Sequence, residues 1–233
     1  MRSETNSLRD LILDKTPEEA LTLLSLKFPD RISFSTSFSM EDQIISHLIF
    51  SGNLPIRVFT LDTGRFFPET YAVWNRTNQL YHQKIEVWFP NTESIQNLIS
   101  EKGPFSFYES VENRKECCYI RKVEPLKRAL QNTDCWITGI RSAHSSVRNA
   151  LPDIEWDEAN KLFKYHPLLN WTFEEVKDFI KEHHIPYNSL HDKEFPSIGC
   201  SPCTRAVKKG EDQRSGRWWW ENTTKKECGL HTK

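Results

Sequence analysis

Four of the six cysteines form two pairs whose spacing suits a metal centre. Cys117 and Cys118 are adjacent, and Cys200 and Cys203 form a C-x-x-C pair later in the chain. Zinc is one candidate because C-x-x-C is a familiar half-site, although structural zinc usually takes its second pair at a similarly short spacing. An iron-sulfur cube presents separate iron atoms, so adjacent thiolates can bind different metals. The spacing favours a 4Fe-4S cluster over zinc, and it leaves open a redox dithiol beside two buried helical thiols.

The two remaining cysteines predict different behaviour. Cys228 lies between Lys225-Lys226 and His231 near the end of the chain. Neighbouring cations favour the thiolate and so raise its reactivity near neutral pH. On position alone, however, an unconstrained thiol at a chain end is the better interpretation. Cys135 falls in a predicted strand, where a buried and unreactive thiol is expected.

The elements that must position these residues alternate between strands and helices. A capping box at Thr16 begins one helix, and a second capping box at Thr172 begins another. Between them the sequence predicts strands at 31–35, 56–61, 84–89 and 134–139, and helices that end at Gly52 or cover 68–81 and 116–130. This alternation predicts an α/β fold, a parallel twisted sheet with helices on both faces.

Three polar loops adjoin the carboxyl ends of predicted strands, where such sheets bind ligands. They are 33–42, 61–65 and 139–148, and we expect them to gather at one edge of the sheet. Ser33, Ser35 and Ser37 offer hydroxyls and backbone N–H groups to a phosphate at a helix N-terminus. An ordinary serine-capped helix start explains the same residues. No G-K-[ST] follows, so this is not a Walker loop.

Composition excludes several classes of function. The chain has 233 residues, 31 Lys plus Arg against 32 Asp plus Glu, and a net charge of -1. No overall field attracts nucleic acid, and no apolar run approaches the length of a membrane span. The N-terminus lacks the pattern of a signal peptide, so we expect a cytoplasmic protein. We predict a nucleotide-binding α/β part at 1–195 and a basic, irregular C-terminal segment at 196–233, within one structural unit.

Five motifs in order resemble the assimilatory adenylyl-sulfate and phosphoadenylyl-sulfate reductase family, in its iron-sulfur branch. The cluster motif is similar to Cys117-Cys118-x-x-Arg121-Lys122 joined with Gly199-Cys200-Ser201-Pro202-Cys203-Thr204. The nucleotide loops resemble 33–42, Leu61-Asp62-Thr63-Gly64-Arg65 and Gly139-Ile140-Arg141. The catalytic end resembles Glu227-Cys228-Gly229-Leu230-His231.

The resemblance implies a fold related to the adenine-nucleotide α-hydrolases and a definite reaction. Adenylyl sulfate and reduced thioredoxin, or a glutaredoxin-like reductant, would give sulfite, AMP and the oxidised reductant. Cys228 would attack the substrate sulfur. The phosphosulfate would be bound by Lys122, Arg214, Arg217 and His231. The loop at 61–65 would present backbone groups to adenine or ribose, and Gly139 and Arg141 would complete the nucleotide site.

Two departures from the family pattern and two alternatives accompany this prediction. His144 stands where the family usually has glutamine, and Trp218-Trp219-Trp220 exceeds the single aromatic expected. The tryptophans would shield the closed tail, contact the reductant or pack in the core. Phosphoadenylyl sulfate is an alternative substrate, alone or together with adenylyl sulfate, although members specific for it usually lack the four cluster cysteines. A zinc-stabilised nucleotide-binding or ATP-pyrophosphatase-like protein is the alternative of another class, but it would have no use for Cys228. The oligomeric state stays open.

Overall fold

The protein contains a mostly parallel six-stranded sheet with connecting helices. The computed structural model describes residues 2–142, 151–221 and 229–230. Its strands are β1 Ile32–Thr36, β2 Arg57–Leu61, β3 Glu86–Trp88, β4 Cys135–Ile137, β5 Ile154–Asp157 and β6 Leu162–Tyr165. Its α-helices are α1 Arg2–Ile12, α2 Pro17–Lys27, α3 Met40–Ser51, α4 Pro68–Tyr81, α5 Thr92–Lys102, α6 Val111–Cys118, α7 Glu124–Ala129 and α8 Phe173–Glu182.

The strand order is β3-β2-β1-β4-β6-β5. Ile32 pairs with Cys135 and Cys135 pairs with Phe163, and both of these ladders are parallel. Strand β5 runs antiparallel to β6 at the edge of the sheet. The predicted α/β fold is therefore confirmed, and a hairpin that the sequence analysis did not predict adds one antiparallel strand.

The helices begin where local hydrogen bonding dictates. The Thr16 and Thr172 hydroxyls each accept a hydrogen bond from the N–H three residues ahead, and the glutamate there accepts one from the N–H of the cap, so both predicted capping boxes are confirmed. Ser39 caps α3 by accepting a hydrogen bond from the Asp42 N–H. Burial of Ile44, Ile45 and Ile49 then fixes the inner face of that helix.

The chain divides into two compact units that interleave in sequence. The first consists of residues 1–59, 69–86 and 132–188, and the second of residues 60–68, 87–131 and 189–233. In the first unit, Phe34, Ile44, Trp136 and Ile137 are almost fully buried. The predicted boundary at residue 195 stays a prediction.

The core of the second unit contains the paired cysteines. Cys117 and Cys203 are buried with Leu98, Phe107 and Trp218, and Cys118, Ile120, Cys200 and Trp220 pack against this cluster. A short 3₁₀ helix, Ser201–Cys203, carries the C-x-x-C pair. The cysteines of the second unit therefore contribute to its hydrophobic core as well as to its thiol chemistry.

A wide turn interrupts the longest helical stretch of the second unit. Between α6 and α7, residues Tyr119–Val123 form a π-helical turn, in which the N–H of Glu124 donates to the carbonyl of Tyr119. Such turns insert one extra residue into an α-helix and are frequent at functional sites. The sequence predicted a helix at 116–130, but nothing in its periodicity indicated the extra residue. No helix among the described residues is long and apolar enough to cross a membrane.

Candidate functional site

The four paired cysteines line one cavity in the second unit. The cavity encloses about 300 Å³ of empty space, part of which is open to solvent. Its remaining lining is Phe107 and four cationic side chains, which are Arg65, Arg114, Arg121 and Lys122. The pairing of Cys117-Cys118 with Cys200 and Cys203 that the sequence predicted is thus present in space.

One helix face supplies five of these lining residues. They are Arg114, Cys117, Cys118, Arg121 and Lys122, which recur at intervals of three and four residues. Side chains with this spacing share one face of a helix. The predicted proximity of Lys122 to Cys118 is therefore borne out, and the π-helical turn lies within this face.

The C-x-x-C pair is held by the loop at 61–65. The Thr63 hydroxyl lies 3.3 Å from the Cys200 Sγ. The N–H of Ser201, between the two cysteines, donates to the carbonyl of Arg65 at 2.8 Å. Arg121 Nη1 donates to the Thr63 carbonyl at 2.6 Å, so the same loop is also bonded to the cysteine-bearing helix. The loop therefore connects the two cysteine pairs.

Burial and nearby cations set the thiol pKa values in opposite directions. Burial raises the pKa of Cys117 above its ordinary value, although Arg121 and Arg65 oppose the rise. Burial likewise raises the pKa of Cys203 to about 12. For Cys200 burial also acts upward, but Lys122, the Thr63 hydroxyl and Arg217 together hold its pKa below the ordinary value. Anionic sulfur at this position is therefore stabilised by specific neighbours.

The donors around the cavity suit an anionic group held by thiolates. Within the described part of the chain, Arg65 Nη1 and Arg121 Nε are buried without a hydrogen-bond partner. Buried donors without a partner are costly, which favours an acceptor that binds beside them. Among the same residues, no three His, Cys, Asp or Glu side chains are placed to share one metal ion. The four thiols and the buried donors therefore fit an anionic group held by the cysteines.

Two predicted phosphosulfate residues lie in the segment after the C-x-x-C pair. Arg217 is buried, its guanidinium lies 4.7 Å from the centre of the Trp218 ring, and residue 217 pairs with Thr204 in an isolated bridge. A Cβ added at Gly199 would lie within 3 Å of this guanidinium, so a side chain there would displace it. The carbonyl of Arg214 accepts from the N–H of Arg217 at 2.9 Å, which fixes the turn between the two arginines.

The serines of the first loop do not share one environment. In the first unit, the Ser33 hydroxyl bonds to Thr133 at 3.0 Å and accepts from Arg57 Nε at 3.1 Å. The Ser35 hydroxyl accepts from the indole of Trp136 at 2.8 Å. Ser33 and Ser35 are thus engaged by side chains of the sheet, and their predicted contact with a phosphate stays a prediction.

Ser37 belongs to a buried carboxylate network at the start of α3. Its N–H and its hydroxyl both donate to Asp42 at 2.6 Å. Burial raises the pKa of Asp42 to about 6, and the adjacent Glu41 contributes, against the hydrogen bonds from Ser37. A carboxyl group kept out of water in this way is typical of a functional position.

The third loop packs directly on these carboxylates. Arg141 is buried and donates to Glu41 at 2.7 Å and to the Trp171 carbonyl at 3.1 Å. Gly139 lies so close to Asp42 that an added Cβ would collide with the carboxylate. Gly139 and Arg141 are thus brought together with the end of the first loop, as predicted.

The backbone of the loop at 61–65 is already engaged within the protein. The N–H of Asp62 donates to Trp88, that of Gly64 to the Asp62 carboxylate, and that of Arg65 to the Thr63 hydroxyl. Leu61 ends β2, and Gly64 has φ +70, which favours glycine. The predicted role of this backbone in binding adenine or ribose stays a prediction.

Three predicted residues lie outside the described part of the chain. They are Cys228, His231 and His144. Gly229, which follows Cys228 in sequence, is described, and a Cβ built on it would lie 3.6 Å from Val123 Cγ2. This described part of the predicted catalytic motif therefore lies beside the π-helical turn, next to Lys122.

Sequence reasoning missed Arg114 and Glu221, and it predicted Arg65 only as part of the nucleotide loop. Arg114 forms a buried ion pair with Glu221, and Arg65 stacks over Phe107 at 4.7 Å. The signal for Arg114 was its spacing, because it precedes Cys117 and Cys118 by three and four residues on the same helix face. No comparable signal marks Glu221.

Comparisons with known proteins all find the same reductase family. Residues 31–206 match the model of the phosphoadenosine phosphosulfate reductase domain. The chain is 49% identical over 202 residues to an adenosine 5'-phosphosulfate reductase of Allochromatium vinosum, which covers 87% of this chain and 79% of that protein. It is 47% identical over 199 residues to the protein of the same name from Neisseria meningitidis, covering 85% and 82%.

Solved structures give the same result at the level of the fold. The crystal structure of a phosphoadenylyl-sulfate reductase from Candida auris in complex with phosphate superposes with a TM-score of 0.76 at 28% identity, covering 89% of this chain and 98% of that one. Yeast FAD synthetase aligns with a TM-score of 0.57 at 17% identity, over 88% of this chain and 67% of that one. The second likeness shows the fold alone.

Proposed function

Because this chain belongs to the phosphoadenosine phosphosulfate reductase family, we propose that it reduces adenylyl sulfate to sulfite and AMP with reduced thioredoxin or a glutaredoxin-like protein. The family predicted from the motifs is confirmed by the matching domain over residues 31–206. The observation that carries the proposal is the cavity in which the four paired cysteines meet Lys122 and three arginines. The close relatives named adenosine 5'-phosphosulfate reductases support adenylyl sulfate as the substrate.

We infer that Cys117, Cys118, Cys200 and Cys203 hold one 4Fe-4S cluster. When bound, the cluster supplies a fixed anionic charge beside Lys122, and the thiol chemistry requires no electron from it. Lys122 and the buried donors of Arg65 and Arg121 would stabilise that charge. Anaerobically purified protein should therefore be brown and lose activity as it bleaches. Colourless protein with one zinc per chain would instead support the zinc-stabilised alternative.

The reaction on the protein side is two thiol displacements. The Cys228 thiolate attacks the substrate sulfur, the Cys228 Sγ–S bond forms, and the bond from that sulfur to the phosphate oxygen breaks, so that AMP leaves with the electron pair. A thiolate of the reductant then attacks Cys228 Sγ, sulfite leaves, and the reductant's second thiol resolves the mixed disulfide. Cys228 returns as a thiolate, and two electrons have passed from the dithiol to the sulfur.

Attack of an anion on an anionic group requires positive charge around it. We assign this task to Lys122, Arg214, Arg217 and His231, because cations placed where negative charge develops lower the barrier. Arginine also holds tetrahedral oxyanions with paired hydrogen bonds. Arg217 and Lys122 already act together on Cys200, which supports their placement near one anionic site.

We assign nucleotide binding in the first unit to the loops at 33–42 and 139–148. Ser37, Gly139 and Arg141 form one contiguous network with Asp42 and Glu41. The hydrogen bonds of Ser33 and Ser35 within the sheet favour a structural contribution from these two serines. The proposed location in the cytoplasm and the identity of the reductant rest on the family resemblance.

The decisive experiment traps the covalent intermediate. The protein is incubated with adenylyl sulfate that carries labelled sulfur, without any reductant, and the denatured protein is assayed for label. Wild-type protein should retain one label per chain and Cys228→Ser none. Cys135→Ala is the matched control, because Cys135 is fully buried and has no assigned role. Label on Cys228→Ser, or none on wild type, would refute the proposal.

Phosphoadenylyl sulfate is the second candidate substrate, favoured by the likeness to the Candida auris enzyme. Comparing kcat/KM for the two nucleotides distinguishes them. A strong preference for the 3'-phosphorylated nucleotide would overturn the assignment to adenylyl sulfate.

A further inference from the structure

A buried ion pair joins the cysteine-bearing helix to the start of the C-terminal tail. Arg114 Nε and Nη2 donate to the two carboxylate oxygens of Glu221 at 2.8 and 3.1 Å. Both side chains are only 2% exposed. Bidentate pairs of this kind are the most directional of charged contacts. The reaction proposed above uses neither residue.

Arg114 also contacts the two features that the pair connects. It lines the cysteine cavity together with Cys118, which helps to raise the pKa of the Arg114 guanidinium. It also lies 4.7 Å from the centre of the Trp218 ring, just before the tail. Its single side chain therefore ties the second cysteine of the helix to the residues from which the tail departs.

The described residues on either side of the segment 222–228 both contact the same helical stretch. Glu221 is bonded to Arg114, and Gly229 lies against Val123. Nine residues separate Arg114 from Val123, which is about 13 Å along a helix. Seven residues separate Glu221 from Cys228 and span at most about 25 Å. The segment between Glu221 and Cys228 is therefore longer than the distance along the helix, whereas the Glu221 side chain is held by Arg114.

We propose that the Arg114–Glu221 pair is the anchor of the catalytic tail, which orients the chain at residue 221 so that Cys228 is directed to the substrate. Arg114 and Glu221 act here as positioning residues. This inference rests on the proposed function, because it presupposes that Cys228 is the nucleophile.

If the pair only limited the length of the tail, its loss would change the labelling rate little, and this makes the proposal testable. Without the pair, the next buried anchor is Trp218, so the free segment before Cys228 grows from seven to ten residues. Loop entropy then dilutes Cys228 by less than about twofold. A displacement of a reacting group by about 1 Å, in contrast, costs up to about a hundredfold in rate. Orientation by the pair therefore predicts a loss of at least about tenfold.

The experiment measures the two half-reactions separately in anaerobically purified holoprotein. Glu221→Gln keeps the shape of the side chain and removes its charge, and Glu221→Asp keeps the charge. The rate constant for labelling Cys228 by adenylyl sulfate should fall at least about tenfold in Glu221→Gln and recover in part in Glu221→Asp. The rate constant for release of sulfite by dithiothreitol should stay within about twofold, since this step occurs on the released tail. Visible absorption should be unchanged.

Rate and amplitude distinguish positioning from damage. A merely structural role would lower the fraction of protein that becomes labelled and leave the rate constant of the remainder unchanged. Glu211→Gln, which removes the half-exposed partner of Arg205, is the matched control and should behave as wild type. A labelling rate constant within twofold of wild type in Glu221→Gln would overturn the proposal, as would loss of amplitude alone. Absence of label on wild type would instead refute the proposed function.

Discussion

The buried carboxyl of Asp42 predicts an unusual dependence of stability on pH. Asp42 is 5% exposed, and burial raises its pKa from 3.8 to about 6. The folded protein therefore binds a proton more tightly than the unfolded chain does. By linkage, the free energy of unfolding must fall as the pH rises between about 4 and 6, because ionised Asp42 is disfavoured only in the folded state.

The variant Asp42→Asn removes this ionisation. An asparagine oxygen at the same position still accepts hydrogen bonds from Ser37, so the loop keeps its acceptor. A difference of roughly two pKa units corresponds to about 3 kcal/mol at pH well above 6, of which about 2 kcal/mol develops between pH 4.5 and 7.5. We expect the variant to gain about 2 kcal/mol on wild type across that interval.

Urea unfolding at four pH values measures this difference. Tryptophan fluorescence and far-ultraviolet circular dichroism should coincide, and refolding should recover the signal, before free energies are compared. Asp10→Asn, which removes an exposed carboxylate of α1, is the control and should show no such gain. Comparing the change with pH cancels constant effects of packing. A difference between variant and wild type that changes by less than about 0.5 kcal/mol, or that shrinks as the pH rises, would refute the reasoning.

Two further predictions concern residues whose roles the sequence left open. Cys135 is fully buried in β4, and burial raises its pKa well above the ordinary range; Cys135→Ala should lower the free energy of unfolding by about 1 kcal/mol and leave kcat and the visible spectrum unchanged, whereas loss of the spectrum would assign it to the metal centre. Trp218 is 1% exposed and Trp219 is 39% exposed. Trp218→Ala should therefore cost about 3–5 kcal/mol, and Trp219→Ala less than about 1 kcal/mol, measured by the same urea titration; equal costs would contradict this assignment.

Periodicity and caps predicted most of the sheet and helices. The predicted helix at 68–81 agrees with α4, and the strand at 56–61 begins one residue before β2. These elements carry strong local signals, a proline at the first helical position and a run of β-branched and aromatic residues. The hairpin of β5 and β6 was missed because its hydrophobic pattern is short and its pairing with β4 is set by tertiary contacts.

The candidate site was predictable in composition and less so in geometry. The spacing of Cys117-Cys118 and Cys200-Cys203 predicted that the pairs would meet. The engagement of the Thr63 and Arg65 carbonyls with the cysteine segments could not be predicted, because a backbone carbonyl leaves no trace in the sequence. The pairing of Arg114 with Glu221 spans 107 residues, and nothing local distinguishes either residue from a surface charge.

The π-helical turn at Tyr119–Val123 gives this helix a fixed angular phase. In an uninterrupted α-helix, the buried Pro125 and Ala129 of α7 would share a face with Cys118. The extra residue sets every residue of α7 back by about 100°, one residue's worth of helical twist, relative to α6. A substitution within the turn keeps the number of residues and so keeps this phase, whereas a one-residue deletion would turn the buried face of α7 by about 100° relative to the thiols. In this segment the number of residues is therefore more tightly constrained than their identity.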